Sequence, residues 1–152
     1  MNLPKGILFL MFSLFAVNLF AQNSPSTSVL EKEAMTTVYF GTNKYELDLS
    51  AQAIINNFIK EKKASTSFEL RLRGFTDDVG NRSSNETLAL NRAMEVKKYL
   101  ESTGVSTKNI KILDCKELIL DNNHNLAEQR RENRRVELEY WTEGAPRLSS
   151  IE

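Results

Sequence analysis

Asp77 and Arg92 are the residues of this chain whose types and spacing could do binding chemistry. Asp77 lies in a loop bracketed by Gly74 and Gly80, directly behind an alternating strand, and Arg92 lies on the otherwise apolar stripe of the helix that follows. A lone charge on a core-facing stripe is costly unless something answers it. A short carboxylate accepts from an ammonium, and the planar fork of a guanidinium grips a carboxylate. The pair therefore suits the zwitterionic centre of an amino acid, with both charged ends opening onto one small pocket where loop meets helix. The same two residues would equally serve as an internal salt bridge pinning loop to helix, and spacing alone leaves the two readings even. Gly74 and Gly80 are expected to permit tight backbone turns near a ligand.

The rival chemistries are weaker. His124, the single histidine, stands in DNNHN with no cysteine or carboxylate at ligand spacing, so it reads as a solvated loop residue and not a metal ligand. Asp77 and Asp78 are adjacent, whereas glycosidase carboxylates must flank one bond from separate positions. Ser83 and Ser84 read as helix caps, and no nucleotide fingerprint surrounds the glycines. The sequence thus predicts no catalytic residue, no metal site and no cofactor. Lys+Arg and Asp+Glu are 20 each, so no basic field favours nucleic acid.

The elements that must hold this pair follow from periodicity. Residues 36–40 (TTVYF) form a β-branched and aromatic run stopped by Gly41. Asp48 to Ser50 offer cap chemistry for a helix whose inward residues are Ala51, Ile54, Ile55, Phe58 and Ile59. Residues 67–74 alternate, with Phe68, Leu70 and Leu72 on one side and Glu69, Arg71 and Arg73 on the other, which describes a sheet with one wet face. Ser83 with Glu86 gives a capping-box start for a second helix. That helix runs to Thr103 and stops at Gly104, with an inward stripe of Ala89, Arg92, Ala93, Val96, Tyr99 and Leu100. A third strand over 109–115, a polar helix over 126–132 and a last strand over 134–141 complete the order. The expected fold is α/β: a two-layer sandwich, β-α-β-α-β-α-β, with a mixed four-stranded sheet and its helices on one face.

With 152 residues and 41% hydrophobic content there is room for one domain, expected over residues 36–141. Residues 1–21 read as a secretory signal peptide, because the apolar run from Gly6 to Phe20 is short for a membrane span and ends at the small Ala21. An uncleaved anchor is the alternative. Gln22 and Asn23 stand where a lipoprotein would carry its acylated cysteine, so no lipid anchor is expected. Residues 22–35 read as a linker and 142–152 as a polar tail. Cys115, the single cysteine, reads as a small buried hydrophobe, and the fold must hold without an internal disulfide.

The pattern T-D-x-x-G-x-x-x-x-N-x-x-L-x-x-x-R-A from Thr76 to Ala93 resembles the peptidoglycan-binding signature of OmpA-like domains. The resemblance extends to Val38–Leu47 (VYFGTNKYEL) and Arg130–Trp141 (RRENRRVELEYW). It implies that Asp77 takes the ammonium and Arg92 the carboxylate of the diaminopimelate in a peptidoglycan stem peptide. Thr76 belongs to the same implied ligand site, Asn85 organises the loop through backbone hydrogen bonds, and Arg134 supports the loop from the last strand. Arg135 takes the outer face. Phe75 replaces a frequent histidine and Ala89 a frequent serine, while Cys115, Leu118 and Ile119 stand where the family usually has glycines and a proline.

The implied function is non-covalent peptidoglycan binding that anchors an envelope component to the cell wall, in the periplasm and associated with the outer membrane. An outer-membrane or envelope protein is the implied second partner. The alternative is a periplasmic protein–protein interaction module that keeps the fold but not the peptidoglycan site, docking through the strand face that ends at Tyr140 and Trp141.

Overall fold

The computed structural model of the protein describes residues 29–62, 67–117 and 126–143. The expected signal peptide, the linker before Val29, Leu118, Ile119, His124 and the tail from residue 144 lie outside the described residues. The elements are β1 (Leu30–Tyr39), α1 (Leu49–Lys62), β2 (Phe68–Thr76), α2 (Arg82–Ser102), a 3-10 turn (Thr107–Asn109), β3 (Ile110–Ile112), β4 (Lys116–Glu117), α3 (Leu126–Asn133) and β5 (Arg135–Glu143). The strands lie in the order β1-β5-β2-β3, with the two-residue β4 beside the end of β2. β5 runs antiparallel to both β1 and β2, while β3 and β4 are parallel to β2, so the sheet is mixed as expected.

The inward residues of the sheet are Val38, Leu70, Leu72, Val136, Leu138 and Tyr140, all buried against Ile55, Phe58 and Ile59 of α1 and Ala93, Val96 and Leu100 of α2. Each fully buried side chain of this size contributes roughly 1.5–3 kcal/mol relative to exposure. Ile54, expected inward, is instead 38% exposed, because the α1 stripe is narrower than the run of apolar residues. Asp48 caps α1, its Oδ1 accepting from the Ala51 N–H at 2.7 Å. α2 is capped two residues earlier than the Ser83–Glu86 pattern predicts. Gly80, at φ 107°, turns the chain so that Asn81 Oδ1 meets the Ser84 N–H at 2.8 Å, and Glu86 pairs with Arg82 instead. Gly104, at φ 93°, follows the C-terminal end of α2 as expected.

β1 begins at Leu30, inside the stretch read as linker, and β5 runs on to Glu143, inside the stretch read as tail. The two extensions explain one another, since Leu30 pairs with Glu143 and Lys32 with Trp141. The sheet face away from α1 and α2 carries a ladder of alternating charges. Glu69 pairs with Arg71 and Lys111, Glu137 with Arg73 and Arg135, and Glu139 with Lys32. Burial alone would raise the carboxyl pKa of Glu139, but the Trp141 N–H and the Lys32 ammonium outweigh it and hold the group below its ordinary value. Tyr140 does not share this face. Its ring stacks on Phe68 in the core and its hydroxyl donates to the Lys62 carbonyl, so only Trp141, covered by Arg71 at 3.9 Å, points outward.

Gly74 serves packing and not a turn. A Cβ there would stand 2.1 Å from the Ala89 carbonyl oxygen, so its absence lets α2 lie directly against the end of β2. Because the obstacle is main chain, no substitution at position 89 relieves it. Gly74→Ala should therefore destabilise the domain by roughly 1–3 kcal/mol, the usual cost of overpacking. Urea unfolding measures this. An unchanged midpoint would mean that α2 shifts freely on the sheet.

Candidate functional site

β2 ends at Thr76, and the loop from Asp77 to Gly80 leads into the cap of α2. Its shape is fixed from both sides. Asn85, buried in the first turns of α2, donates from Nδ2 to the Asp77 main-chain carbonyl at 3.2 Å, the loop-organising contact expected of it. Asp77 Oδ1 receives only a long contact, 3.4 Å, from the Val79 N–H, an aspartate turn of the usual local kind.

The other oxygen of Asp77 has a stronger partner. Arg134, at the junction of α3 and β5, donates from Nη1 to Asp77 Oδ2 at 3.0 Å and from Nε to the Phe40 carbonyl at 3.2 Å. The next carboxylate, Asp78, takes a forked pair of bonds from Arg130 of α3, at 2.8 and 3.3 Å. Arg130 lowers the Asp78 carboxyl pKa, and Asp78 in turn raises that of Arg130. α3 and its junction with β5 thus hold two successive carboxylates of the loop. Arg135 lies on the outer face, 4.2 Å over the Phe75 ring, as strand parity predicts.

Arg92 is wholly buried. Its Nε donates to the Lys44 carbonyl at 2.8 Å, Nη1 to the Phe75 carbonyl at 2.8 Å and Nη2 to the Gly41 carbonyl at 3.2 Å, and its guanidinium lies 5.3 Å from the Phe40 ring centroid. Burial pushes its pKa down to about 10, with the Asp77 charge opposing that shift and the Arg134 charge adding to it. It remains a cation at neutral pH.

Asp77, Arg92 and Arg134 therefore meet in one cluster, but its connections differ from both readings of the sequence. Among the described residues Arg92 opens onto no pocket, because the turn from Gly41 to Lys44 and the end of β2 close over it. Nor is Asp77 its ion-pair partner, since that position belongs to Arg134. The reason is local. Strand ends and turns leave main-chain carbonyls without ladder partners, and a guanidinium with donors in three directions can satisfy several at once. Thr76 is buried, and its hydroxyl has no hydrogen-bond partner among the described residues. The Arg130–Asp78 clamp was missed by sequence reasoning, although the basic run from Arg130 to Arg135 was the available signal.

Comparison with known proteins bears on what this cluster does. Residues 39–135 match the OmpA family. The chain is 32% identical over 105 residues to the peptidoglycan-associated lipoprotein of Pseudomonas putida, covering 69% of this chain and 63% of that one. It thus spans less than two thirds of that relative's length. Among solved structures, the peptidoglycan-associated lipoprotein of Burkholderia pseudomallei superposes with a TM-score of 0.58 at 27% identity, over 68% of this chain and 88% of that one. The C-terminal domain of Helicobacter pylori MotB gives a TM-score of 0.59 at 26% identity, over 72% and 86% respectively.

Arg92 and Arg130 should separate sharply in their effect on stability. Arg92→Met takes the buried donor from the Lys44, Phe75 and Gly41 carbonyls, of which Gly41 keeps the Lys44 N–H, and should cost roughly 3–5 kcal/mol, the range for removing one partner from a buried charged network. Arg130→Ala breaks a solvent-facing pair and should leave the unfolding midpoint nearly unchanged. Chemical unfolding of the two variants provides the comparison. Equal small losses would mean that Arg92 is not holding the fold.

Proposed function

The chain belongs to the OmpA family, and on that premise we propose that it binds peptidoglycan non-covalently and holds an envelope component to the cell wall. The ligand is the diaminopimelate of the stem peptide, and the action is capture, with no catalytic residue. One observation carries this reading. A carboxylate and a guanidinium of opposite charge sit in one cluster where the loop after β2 meets the inner face of α2, and each keeps hydrogen-bonding capacity in reserve. Asp77 commits Oδ2 to Arg134 but holds Oδ1 only by a 3.4 Å contact, which leaves that oxygen for an ammonium. Arg92 has two N–H groups on each terminal nitrogen, and each of these nitrogens is bonded to a single carbonyl.

In this mechanism the ligand carboxylate reaches the remaining N–H edge of Arg92, and the turn from Gly41 to Lys44 yields to admit it. The Gly41 bond, at 3.2 Å the longest of the three, is the one that gives way. Arg134 and Asn85 keep the loop in place, and the unpartnered Thr76 hydroxyl lies at its head as a further polar group for the ligand. The protein reaches the periplasm through the signal peptide at residues 1–21.

A second reading is favoured by the closure over Arg92. A guanidinium spent on main-chain carbonyls can be a scaffold alone, and the domain would then dock a protein in the envelope. Of the two residues expected on such a surface, Tyr140 is in the core, so Trp141 and its charged neighbours would form it.

Lysine lacks the side-chain carboxylate assigned to Arg92, so titration with paired muropeptides distinguishes the readings. The diaminopimelate form should bind about thirtyfold more tightly than the lysine form, equivalent to roughly 2 kcal/mol at the low end for an unpaired charge in a binding site. Asp77→Asn should weaken both, through the ammonium that they share. Equal wild-type affinity for the two peptides, measured by calorimetry, would favour the docking module.

A further inference from the structure

We propose that the domain also grips the glycan strand of the polymer, through an uncharged cleft beside the loop that takes an N-acetylated amino sugar. This rests on the peptidoglycan reading above and extends it from the stem peptide to the sugar. The cleft measures about 380 Å³. Asn43 and Tyr45, between β1 and α1, form one wall, and Ser83, Ser84, Thr87 and Asn91 of α2 form the other. No residue lining it is charged, in a chain where 26% of residues are. Such a lining selects neither an ionised side chain nor a phosphate.

Its chemistry fits a saccharide. The amides of Asn43 and Asn91 each offer an acceptor oxygen and two donor hydrogens, as the hydroxyls and acetamide of an amino sugar require. Neither amide, nor the hydroxyl of Ser83 or Ser84, has a side-chain hydrogen bond among the described residues. Thr87 donates to the Ser83 carbonyl and keeps its lone pairs free to accept. Tyr45, 42% exposed, presents an apolar ring face with a polar tip, the combination that suits the C–H face of a pyranose and its rim of hydroxyls.

The cleft is built on the same guanidinium as the charged cluster. Asn43 adopts a left-handed conformation, φ 53°, in the turn closed by the Lys44 N–H to Gly41 carbonyl bond, and both of those residues give their carbonyls to Arg92. Sugar and peptide would thus be held on two sides of one staple. A second cleft, of about 550 Å³, shares Tyr45 and Asn91 and continues along α2 past Leu90 and Met94, where Glu95, Lys97, Lys98 and Glu101 make its far end charged. From Ser83 to Met94 the helix rises about 16 Å at 1.5 Å per residue, long enough for more than one sugar ring.

The test compares two soluble probes that carry the same diaminopimelate peptide, one with its disaccharide and one from which an amidase has removed it. Calorimetry on the wild type should show the disaccharide form binding about tenfold more tightly, the equivalent of roughly 1.4 kcal/mol. Tyr45→Ala and Asn91→Ala should abolish that gain and keep the affinity for the bare peptide, while Tyr45→Phe should retain the gain. Thermal unfolding confirms that each variant is folded. Equal wild-type affinity for both probes would overturn the sugar contact and leave peptide capture standing. Loss of binding to both probes would overturn the two together. A gain that survives both alanine substitutions would place the sugar elsewhere and overturn this assignment.

Discussion

Arg92 carries a positive charge to a position with no solvent exposure, and three main-chain carbonyls, those of Gly41, Lys44 and Phe75, receive its donors. Burying a charge in this way is costly unless each donor is met and an opposite charge lies near. Here Nε, Nη1 and Nη2 each meet one carbonyl, and Asp77 supplies the opposite charge while Arg134 works against it. The constraint is mutual. Arg92 can occupy its place only if β1, the turn behind it and the end of β2 converge there, and they converge because Arg92 ties their carbonyls together.

One close approach of main chain and one pair of side-chain clamps make that convergence feasible. Gly74 lets α2 lie against β2 with the Ala89 carbonyl where a side chain would otherwise be, which brings Arg92 within reach of the Phe75 carbonyl. α3 closes the site from the other side, with Arg130 on Asp78 and Arg134 on Asp77. The exposed clamp adds little to stability, whereas the buried one keeps a carboxylate from facing an apolar interior without a partner. A carboxylate held at one oxygen and nearly free at the other is preorganised for a cation, because the ordering has occurred before the ligand arrives.

The alternating pattern of residues 67–74 and the helical stripes of α1 and α2 were legible because they are periodic in side-chain type. The Asp48 cap was legible because the residue types stand beside the helix start that they serve. The first residues of β1 were not legible, since their strand character depends on pairing with the far end of β5. The Ser83–Glu86 pattern misled because the φ of Gly80 lets Asn81 reach the free N–H groups first. At the site, the sequence identified Asp77 and Arg92 as a charged pair, and the resemblance put Arg134 in support of the loop, but neither named the carbonyls that take the donors of Arg92. Main-chain carbonyls have no signature in side-chain order, and the Asp77–Arg134 contact spans residues remote in the chain. Tyr140 was misplaced by one step of strand parity, which sends it to the core and leaves Trp141 outside.

On the proposed reading the Arg92 guanidinium both holds the fold and meets the ligand carboxylate. Nuclear magnetic resonance of its side-chain N–H groups addresses this directly, because a buried and bonded guanidinium exchanges slowly with solvent. The Arg92 signals should be resolved in the free protein, identified by their loss in Arg92→Lys. They should shift on titration with a diaminopimelate muropeptide and stay in place with the lysine form. Arg92 signals that remain unmoved while the diaminopimelate peptide binds would contradict the account and leave this residue a scaffold alone.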